Sequence, residues 1–123
     1  MARYPGLTLR ILADKYPAMG PGKAELVAAI DASGSISAAA RAMGMSYRRA
    51  WQLVEAINGS FSQPVVVTAT GGKRGGGASV TPFGRQLIRS YRAMESKASA
   101  AIVKDLQLFS RHLKRPSAPR GDR

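Results

Sequence analysis

The chain contains no cysteine among its 123 residues, which excludes disulfide bonds and zinc sites with cysteine ligands. Its only histidine is His112, and its seven acidic residues lack the paired spacing that acid/base or metal chemistry needs. Apolar runs of membrane-spanning length and a signal-peptide pattern are also absent from the sequence. We therefore expect a cytoplasmic protein that is not an enzyme and has no membrane partner.

Negative charge is scarce as well. The chain has 19 Lys and Arg against 7 Asp and Glu, a formal net charge of +12. A merely soluble surface would mix both signs more evenly, so a polyanion is the expected partner and nucleic acid the commonest one. Between residues 41 and 92 only Glu55 is acidic, and the basic residues there are Arg41, Arg48, Arg49, Lys73, Arg74, Arg85, Arg89 and Arg92.

The segment 34–61 predicts two helices joined by a tight turn. Ser37 is the expected N-cap of the first helix, because its hydroxyl can accept a first-turn N–H and the alanine-rich run from Ala38 strongly favours helix. Gly44 can adopt the left-handed conformation that ends this helix, and Ser46 can then cap the second. So short a connection is typical of a helix-turn-helix motif.

The second helix has two distinct faces. Its apolar residues recur with the helical period of 3.6 residues and are Tyr47, Ala50, Trp51, Val54, Ile57 and Phe61. Three residues of the opposite face, Arg48, Arg49 and Gln52, are types that hydrogen-bond base edges or phosphates, and they lie where a recognition helix meets the major groove. Trp51, at the margin of the stripe, is assigned mainly to the core. An ordinary surface helix with a solvated charged face is the alternative.

The segments before this motif predict a strand and a helix. Alternation over residues 7–12 indicates a short strand, followed by a turn region with two prolines at 14–22. Residues 23–32 have one apolar side and predict an amphipathic helix, the first of three core helices.

After Phe61 the pattern becomes strand, glycine loop, strand, with strands at 65–70 and 78–81. A hairpin directly after two such helices is typical of the wing of a winged-helix domain. Lys73 and Arg74 stand at its tip among glycines that allow close approach to a DNA backbone. A hairpin with merely solvated charges is one alternative. A nucleotide-phosphate loop is disfavoured, because the loop lacks the required spacing and leads into a strand.

A single long helix is predicted over residues 82–113. Thr81 is its N-cap and Pro82 its first residue, where a missing N–H costs nothing. At ~1.5 Å per residue the helix would reach roughly 45 Å, more than one small domain covers, so we expect it to pair with the same helix of a second copy. Folding back onto its own domain is disfavoured by the lack of turn residues. The basic tail, residues 114–123, is expected to be disordered.

Two blocks, GSISAAARAMGMSYRRAWQLVEAIN and TATGGKRGGGASVTPFGRQLI, together resemble the DNA-binding domain of the ModE family of molybdenum-dependent transcriptional regulators. That domain is similar to the winged helix-turn-helix of LysR-type regulators. The resemblance covers roughly residues 7–102, and the two blocks are specific in combination. It implies dimerisation through the helix after the wing and the DNA-facing residues Ser46, Tyr47, Arg48, Arg49, Lys73 and Arg74.

Full-length members of that family carry a C-terminal molybdate-binding region built of small β-barrels. This chain continues instead as a helix and a charged tail. The resemblance therefore predicts no cofactor in this chain, with the family's molybdate-binding region absent, and makes direct molybdate binding doubtful. The chain is interpreted as a stand-alone DNA-binding domain.

The combined prediction is a mainly α fold with a small β wing: a winged helix-turn-helix domain over residues 7–113, including a dimerisation helix at about 82–113. Its expected function is sequence-specific regulation of molybdenum-related genes, as a homodimer on inverted-repeat double-stranded DNA. Two alternatives stay open, a non-specific architectural DNA-binding protein and a winged-helix module that binds a protein or an oxyanion. The predicted DNA-binding residues are Ser37, Ser46, Tyr47, Arg48, Arg49, Gln52, Lys73 and Arg74.

Overall fold

The computed structural model describes residues 6–69 and 77–114. These residues form a mainly helical protein with two small antiparallel sheets, which confirms the coarse prediction of fold class. The elements, in chain order, are β1 (Ile11–Ala13), β2 (Tyr16–Met19), α1 (Pro21–Ser33), α2 (Ile36–Ala42), α3 (Tyr47–Ser60), β3 (Val66–Ala69), β4 (Gly77–Val80), α4 (Pro82–Ala101) and α5 (Val103–His112).

The N-terminal part of the chain forms a hairpin where one strand and a turn region were predicted. β1 and β2 pair antiparallel, with Ala13 opposite Tyr16. The turn between them is Asp14 and Lys15, and Asp14 has a positive φ of 59°, a conformation that aspartate tolerates better than most residues. Pro17 lies within β2, which is possible because both strands of a two-stranded sheet are edges and an edge strand can lack an N–H.

α1 is longer than predicted at both ends. Pro21 occupies its first turn, where the missing N–H costs nothing. Gly34 ends the helix with a left-handed φ of 72° and donates its N–H to Ile30 O at 2.7 Å, so a side chain here would strain the backbone.

The predicted cap of α2 is wrong by two residues. The N-cap is Ser35, whose hydroxyl accepts the N–H of Ala38 at 3.0 Å. Because the left-handed Gly34 ends α1 directly before it, Ser35 is the extended residue from which α2 begins. Ser37 lies inside the first turn of α2, exposed, and its hydroxyl accepts a hydrogen bond from Arg41 Nη1 at 3.2 Å.

The start of α3 matches its prediction. Ser46 is the N-cap, and its hydroxyl accepts the N–H of Arg49 at 3.0 Å. Gly44 in the connection has a φ of 69°, as expected of the residue that ends α2. The short connection therefore fixes how α3 leaves α2.

Asn58 connects α3 to the second hairpin. Its Oδ1 accepts the N–H groups of Val65 and Val66 at 2.8 and 3.1 Å, and its Nδ2 donates to Val66 O at 2.9 Å. β3 and β4 then pair antiparallel, with Val66 opposite Val80. The predicted strands are confirmed to within one residue in the described ranges, whereas residues 70–76 lie outside them.

The core lies where α1, α2 and α3 meet the second hairpin and the start of α4. Gly84 of α4 packs so closely that a Cβ would lie 2.6 Å from Val65 O. Thr81 caps α4 as predicted, since its hydroxyl accepts the N–H of Gly84 at 2.9 Å. The largest fully buried side chains are Tyr91, Met19, Leu26, Ile30, Ile57, Val27, Val54 and Val65.

The prediction of one unbroken helix over residues 82–113 is wrong. α4 ends at Ala101 and α5 begins at Val103, with Ile102 between them at φ −110° and ψ 12°. Neither glycine nor proline marks the break. Ile102 and Val103 are adjacent β-branched residues, whose restricted χ1 angles lower helix propensity.

The N-terminal segment lies against both C-terminal helices. The Tyr91 hydroxyl of α4 donates to Leu9 O at 2.8 Å, and a Cβ at Gly6 would lie 3.4 Å from a methyl of Leu106 in α5. Among the described helices, none combines the length and the apolar character that crossing a membrane would require. Disorder was predicted for residues 114–123, and of these, residues 115–123 lie outside the described part of the chain.

Candidate nucleic-acid interface

The two faces of α3 divide as its sequence pattern predicts. Ala50, Val54 and Ile57 are buried in the core, which holds the helix in place. The opposite face, including Arg48, Arg49, Gln52, Glu55 and Ala56, is exposed.

Tyr47 differs from its predicted place in the apolar stripe, because it is 54% exposed at the beginning of the helix. Trp51, one turn later, is half-buried and packs against the core, in agreement with its predicted place mainly in the core. The two rings meet edge to face, with centroids 6.2 Å apart at 79°, a favourable geometry for aromatic pairs. Tyr47 therefore packs against Trp51 while more than half of its surface stays exposed.

A surface depression that we call the aromatic notch joins this pair to α2 and the second hairpin. Its volume is about 240 Å³. It places Ser37 of α2 and Tyr47 of α3 on one surface beside the hairpin strands. Its lining consists of Ser35, Ile36, Ser37, Tyr47, Trp51, Thr68, Ala69, Gly77 and Ala78.

The two predicted serines already have hydrogen-bond partners. Ser46 accepts the N–H of Arg49, and Ser37 accepts from Arg41. Because each hydroxyl still has its own hydrogen to donate, either serine can also bind a phosphate oxygen. Lys73 and Arg74, the predicted wing-tip residues, lie outside the described residues.

A second surface feature was missed by the sequence patterns. Arg10, Lys23 and Arg49 line a cleft of about 350 Å³ between the first hairpin, the start of α1 and the start of α3. We call it the cationic cleft. Lys23 Nζ donates to Pro17 O at 2.5 Å. Burial lowers the pKa of Lys23, and the positive charge of Arg49 lowers it further.

Two arginines counted in the basic excess are paired with carboxylates of α1. Arg85 Nη2 lies 3.0 Å from Asp31 Oδ1, and Arg92 Nη2 lies 3.8 Å from Glu25 Oε2. Within residues 6–69 and 77–114, no salt bridge involves Arg48, Arg49 or the other residues of the cationic cleft. The uncompensated positive charge in this part of the chain therefore includes the first turn of α3 and its flank.

Metal-ligating side chains do not cluster in the described part of the chain, where no three of His, Asp and Glu come together. His112 is exposed in the last turn of α5.

The chain matches no protein-family model, but it is similar to several characterised proteins. It is 48% identical over 95 residues to the molybdenum-pterin-binding protein MopB of Rhodobacter capsulatus, which is 77% of this chain and 34% of that protein. It is 35% identical over 89 residues to the molybdenum transport protein ModE of Azotobacter vinelandii, 72% of this chain and 33% of that protein. It is also 42% identical over 71 residues to the DNA-binding transcriptional dual regulator ModE of Escherichia coli K12, 58% of this chain and 27% of that protein.

The chain thus spans about a third of the length of the relatives it matches over most of its own length. Their names relate it to molybdenum-binding and regulatory proteins. The prediction that this chain has no cofactor because the family's molybdate-binding region is absent is wrong on this comparison. The relatives named MopB and MopA are molybdenum-pterin-binding proteins, and they match 77% and 70% of this chain.

Proposed function

We propose that this chain is a sequence-specific DNA-binding transcriptional regulator of the ModE type, acting on molybdenum-related genes. In this proposal α2 and α3 form a helix-turn-helix, the β3–β4 hairpin is its wing, and α3 enters the major groove. The observation that carries the proposal is the exposed group Arg48, Arg49 and Gln52 on the first two turns of a helix whose opposite face is buried in the core. The name of the Escherichia coli relative supports DNA binding.

The residues of the interface have different proposed roles. Arg48, Arg49 and Gln52 bind base edges or position the helix on phosphates. Tyr47 contacts a base edge or a phosphate, and the hydroxyls of Ser37 and Ser46 donate to phosphates. Lys73 and Arg74 contact the DNA backbone beside the groove.

The proposed active form is a homodimer that binds an inverted repeat. Two copies would present their α3 helices to half-sites about 34 Å apart, or a multiple of that distance. The exposed apolar residues of α5, among them Leu108 and Phe109, support a partner surface at this end of the protein.

Selection of bound duplexes from a randomised pool at near-physiological salt tests the main proposal. We expect enrichment of an inverted repeat. On that site, Arg48→Ala or Arg49→Ala should lower affinity by about 1 to 3 kcal/mol if the arginine binds a base in a bidentate manner. Arg89→Ala, which removes an exposed arginine from α4, is the charge-matched control. Retention of DNA without an enriched motif would favour an architectural protein instead.

A second candidate function is an oxyanion-binding module, favoured by the relatives named as molybdenum-pterin-binding proteins and by the net charge of +12. Equilibrium dialysis against molybdate, with sulfate as the competing anion, distinguishes it. Saturable molybdate binding together with no DNA retention at physiological salt would replace the main proposal by this one.

The proposed role is binding and not catalysis, in the cytoplasm.

A further inference from the structure

The cationic cleft brings together positive groups that are distant in sequence. Arg10 comes from the segment before β1, Lys23 from the first turn of α1, and Arg49 from the first turn of α3. We propose that this cleft binds one backbone phosphate of the DNA, on the flank of the groove that α3 enters. The inference rests on the proposed DNA-binding function and adds Arg10 and Lys23 to the interface.

The first support is the chemistry of the donors. Arg10 and Arg49 carry planar guanidinium groups, which match a phosphate in a bidentate manner, and Lys23 contributes a compact ammonium. α1 starts at the same cleft, without a side-chain cap and without an acidic residue in its first turn. Gly22, which also lines the cleft, has open space where a side chain would be. Pro21 has no N–H, and the N–H of Ala24 is bonded to Gly20 O at 2.9 Å, so the N–H groups of Gly22 and Lys23 are the ones in this first turn that an anion could bind.

The second support is the electrostatic repulsion between the positive charges of the cleft. Lys23 is partly desolvated and experiences the charge of Arg49, so two like charges are held near each other. The acidic residues that form salt bridges within the described ranges, Asp31 and Glu25, pair with arginines of α4 instead. A bound anion would remove the repulsion between Lys23 and Arg49 and compensate the desolvation of Lys23.

The third support is continuity with the proposed DNA surface. Arg49 belongs both to the cationic cleft and to the exposed start of α3, directly after Arg48. A strand whose bases contact the first turn of α3 would carry its phosphates past this flank. A tetrahedral oxyanion free in solution has the same chemistry, and the experiment below separates the two sources.

The test compares salt dependence on the selected DNA site. Lys23→Met keeps most of the aliphatic stem, and Arg10→Gln keeps polarity; Lys97→Met on the exposed side of α4 is the matched control. The double variant Lys23→Met with Arg10→Gln should flatten the slope of log affinity against log salt by up to about 0.9, the value of one phosphate contact, and each single variant by part of that. Between 50 and 200 mM salt, the double variant should lose up to about 3.5-fold less affinity than the wild type. The preferred sequence should not change.

Neutral methylphosphonates, placed one at a time along the duplex, locate the contact. We expect one position per half-site at which the neutral group lowers the affinity of the wild type more than that of Lys23→Met. If the neutral group at every position lowers the affinity of the variant as much as that of the wild type, the proposal is overturned. If Lys23→Met does not fold, Arg10→Gln provides the same comparison, because Arg10 is exposed and precedes β1.

The outcomes separate this inference from the function on which it rests. If the wild type selects no DNA site, both fail. If it selects a site and the cleft variants match Lys97→Met in slope, only the phosphate contact is overturned. If titration with inorganic phosphate shows a saturable site that Lys23→Met abolishes while the DNA slope is unchanged, the cleft binds a free anion and the DNA assignment is wrong.

Discussion

Ser35 and Ser37 stand two residues apart at the beginning of α2, and only Ser35 caps the helix. Ser35→Ala should lower the free energy of unfolding by about 1 kcal/mol, because a first-turn N–H loses its acceptor. Ser37→Ala is the matched control, since it removes a hydroxyl that only accepts from the exposed Arg41. Urea denaturation of both variants measures the difference, and equal losses would contradict the assignment of the cap.

The sequence could not decide between these serines. Both precede helix-favouring residues, and both are good N-caps by type. The choice depends on where α1 ends, and Gly34 ends it with a left-handed residue directly before Ser35. Ser46 was predictable because Gly44 isolates it from other candidate caps.

Tyr91 makes stability depend on pH in the alkaline range. It is 1% exposed, and burial together with the nearby Glu95 carboxylate raises its pKa to about 12. Unfolded tyrosine has a pKa of about 10, so the folded state favours the neutral phenol. This contribution is complete below about pH 10 and is lost as the pH rises towards 12. It amounts to at most about 3 kcal/mol.

Tyr91→Phe removes this titration together with the hydrogen bond to Leu9 O. We expect the variant to be less stable by about 1 kcal/mol at neutral pH, and the difference from wild type to shrink or reverse between about pH 10 and 12. The difference between the unfolding free energies of the two proteins, measured across this range, cancels the effects of the titrating groups that they share. A difference independent of pH would contradict the raised pKa of Tyr91.

At the scale of elements, Gly84 determines how closely α4 approaches the second hairpin. A Cβ at this position would lie 2.6 Å from Val65 O and 2.8 Å from Val80 Cγ1. Gly84→Ala should therefore destabilise the protein by about 1 to 3 kcal/mol, because backbone and core must shift.

Gly59→Ala in α3 is the opposite case and serves as the control. Its Cβ would meet no atom within 4 Å, and alanine favours the helix over glycine by roughly 0.5 to 1 kcal/mol. Thermal unfolding should show opposite shifts for the two variants. A similar loss of stability in both would mean that the packing at Gly84 is not the cause.

The elements whose ends carry local signals were predictable from the sequence, and those defined by tertiary context were not. α3 and the start of α4 follow from Ser46, Thr81 and a regular apolar period. The first hairpin was missed because Pro17 suggested a turn, although an edge strand can contain proline. The break at Ile102 lacks the usual breakers, so periodicity continued across it.

The candidate site likewise has one part that the sequence predicts and one part that depends on tertiary packing. The exposure of Arg48, Arg49 and Gln52 follows from helical periodicity within one element. The approach of Arg10 and Lys23 to Arg49 depends on how three elements pack. No spacing in the sequence indicates such an approach, and the basic excess found in the sequence, at residues 41–92, includes Arg49 but neither Arg10 nor Lys23.

At the scale of the whole molecule, α5 and Leu113, which follows it, have apolar side chains that are more than half exposed in the described part of the chain. These are Val103, Leu108, Phe109 and Leu113. If a second copy covers them, as the proposed dimer requires, Leu108→Ser with Phe109→Ser should shift the protein towards monomer. Full burial of an exposed side chain of this kind is worth roughly 1.5 to 3 kcal/mol, so burying the exposed half of each would contribute about half of that.

Sedimentation equilibrium measures this shift, and Leu12→Ser, which removes an exposed apolar side chain of β1, is the control at a distant surface. Affinity for an inverted repeat should fall with dimerisation, while affinity for a single half-site should not. A double variant that stays dimeric would show that the two copies associate through another surface.

Asn58 has a consequence for cooperativity. Its single side chain satisfies two backbone donors and one acceptor at the start of β3, and it is itself fixed by its place in α3. Fraying the end of α3 would break the three hydrogen bonds of Asn58 to these backbone groups, which costs more than the fraying alone. The amides of Val65 and Val66 should therefore exchange with solvent at the same rate as the last turn of α3, as one opening unit. Binding of α3 to DNA would then slow hydrogen exchange at the start of β3, although the DNA does not contact that strand.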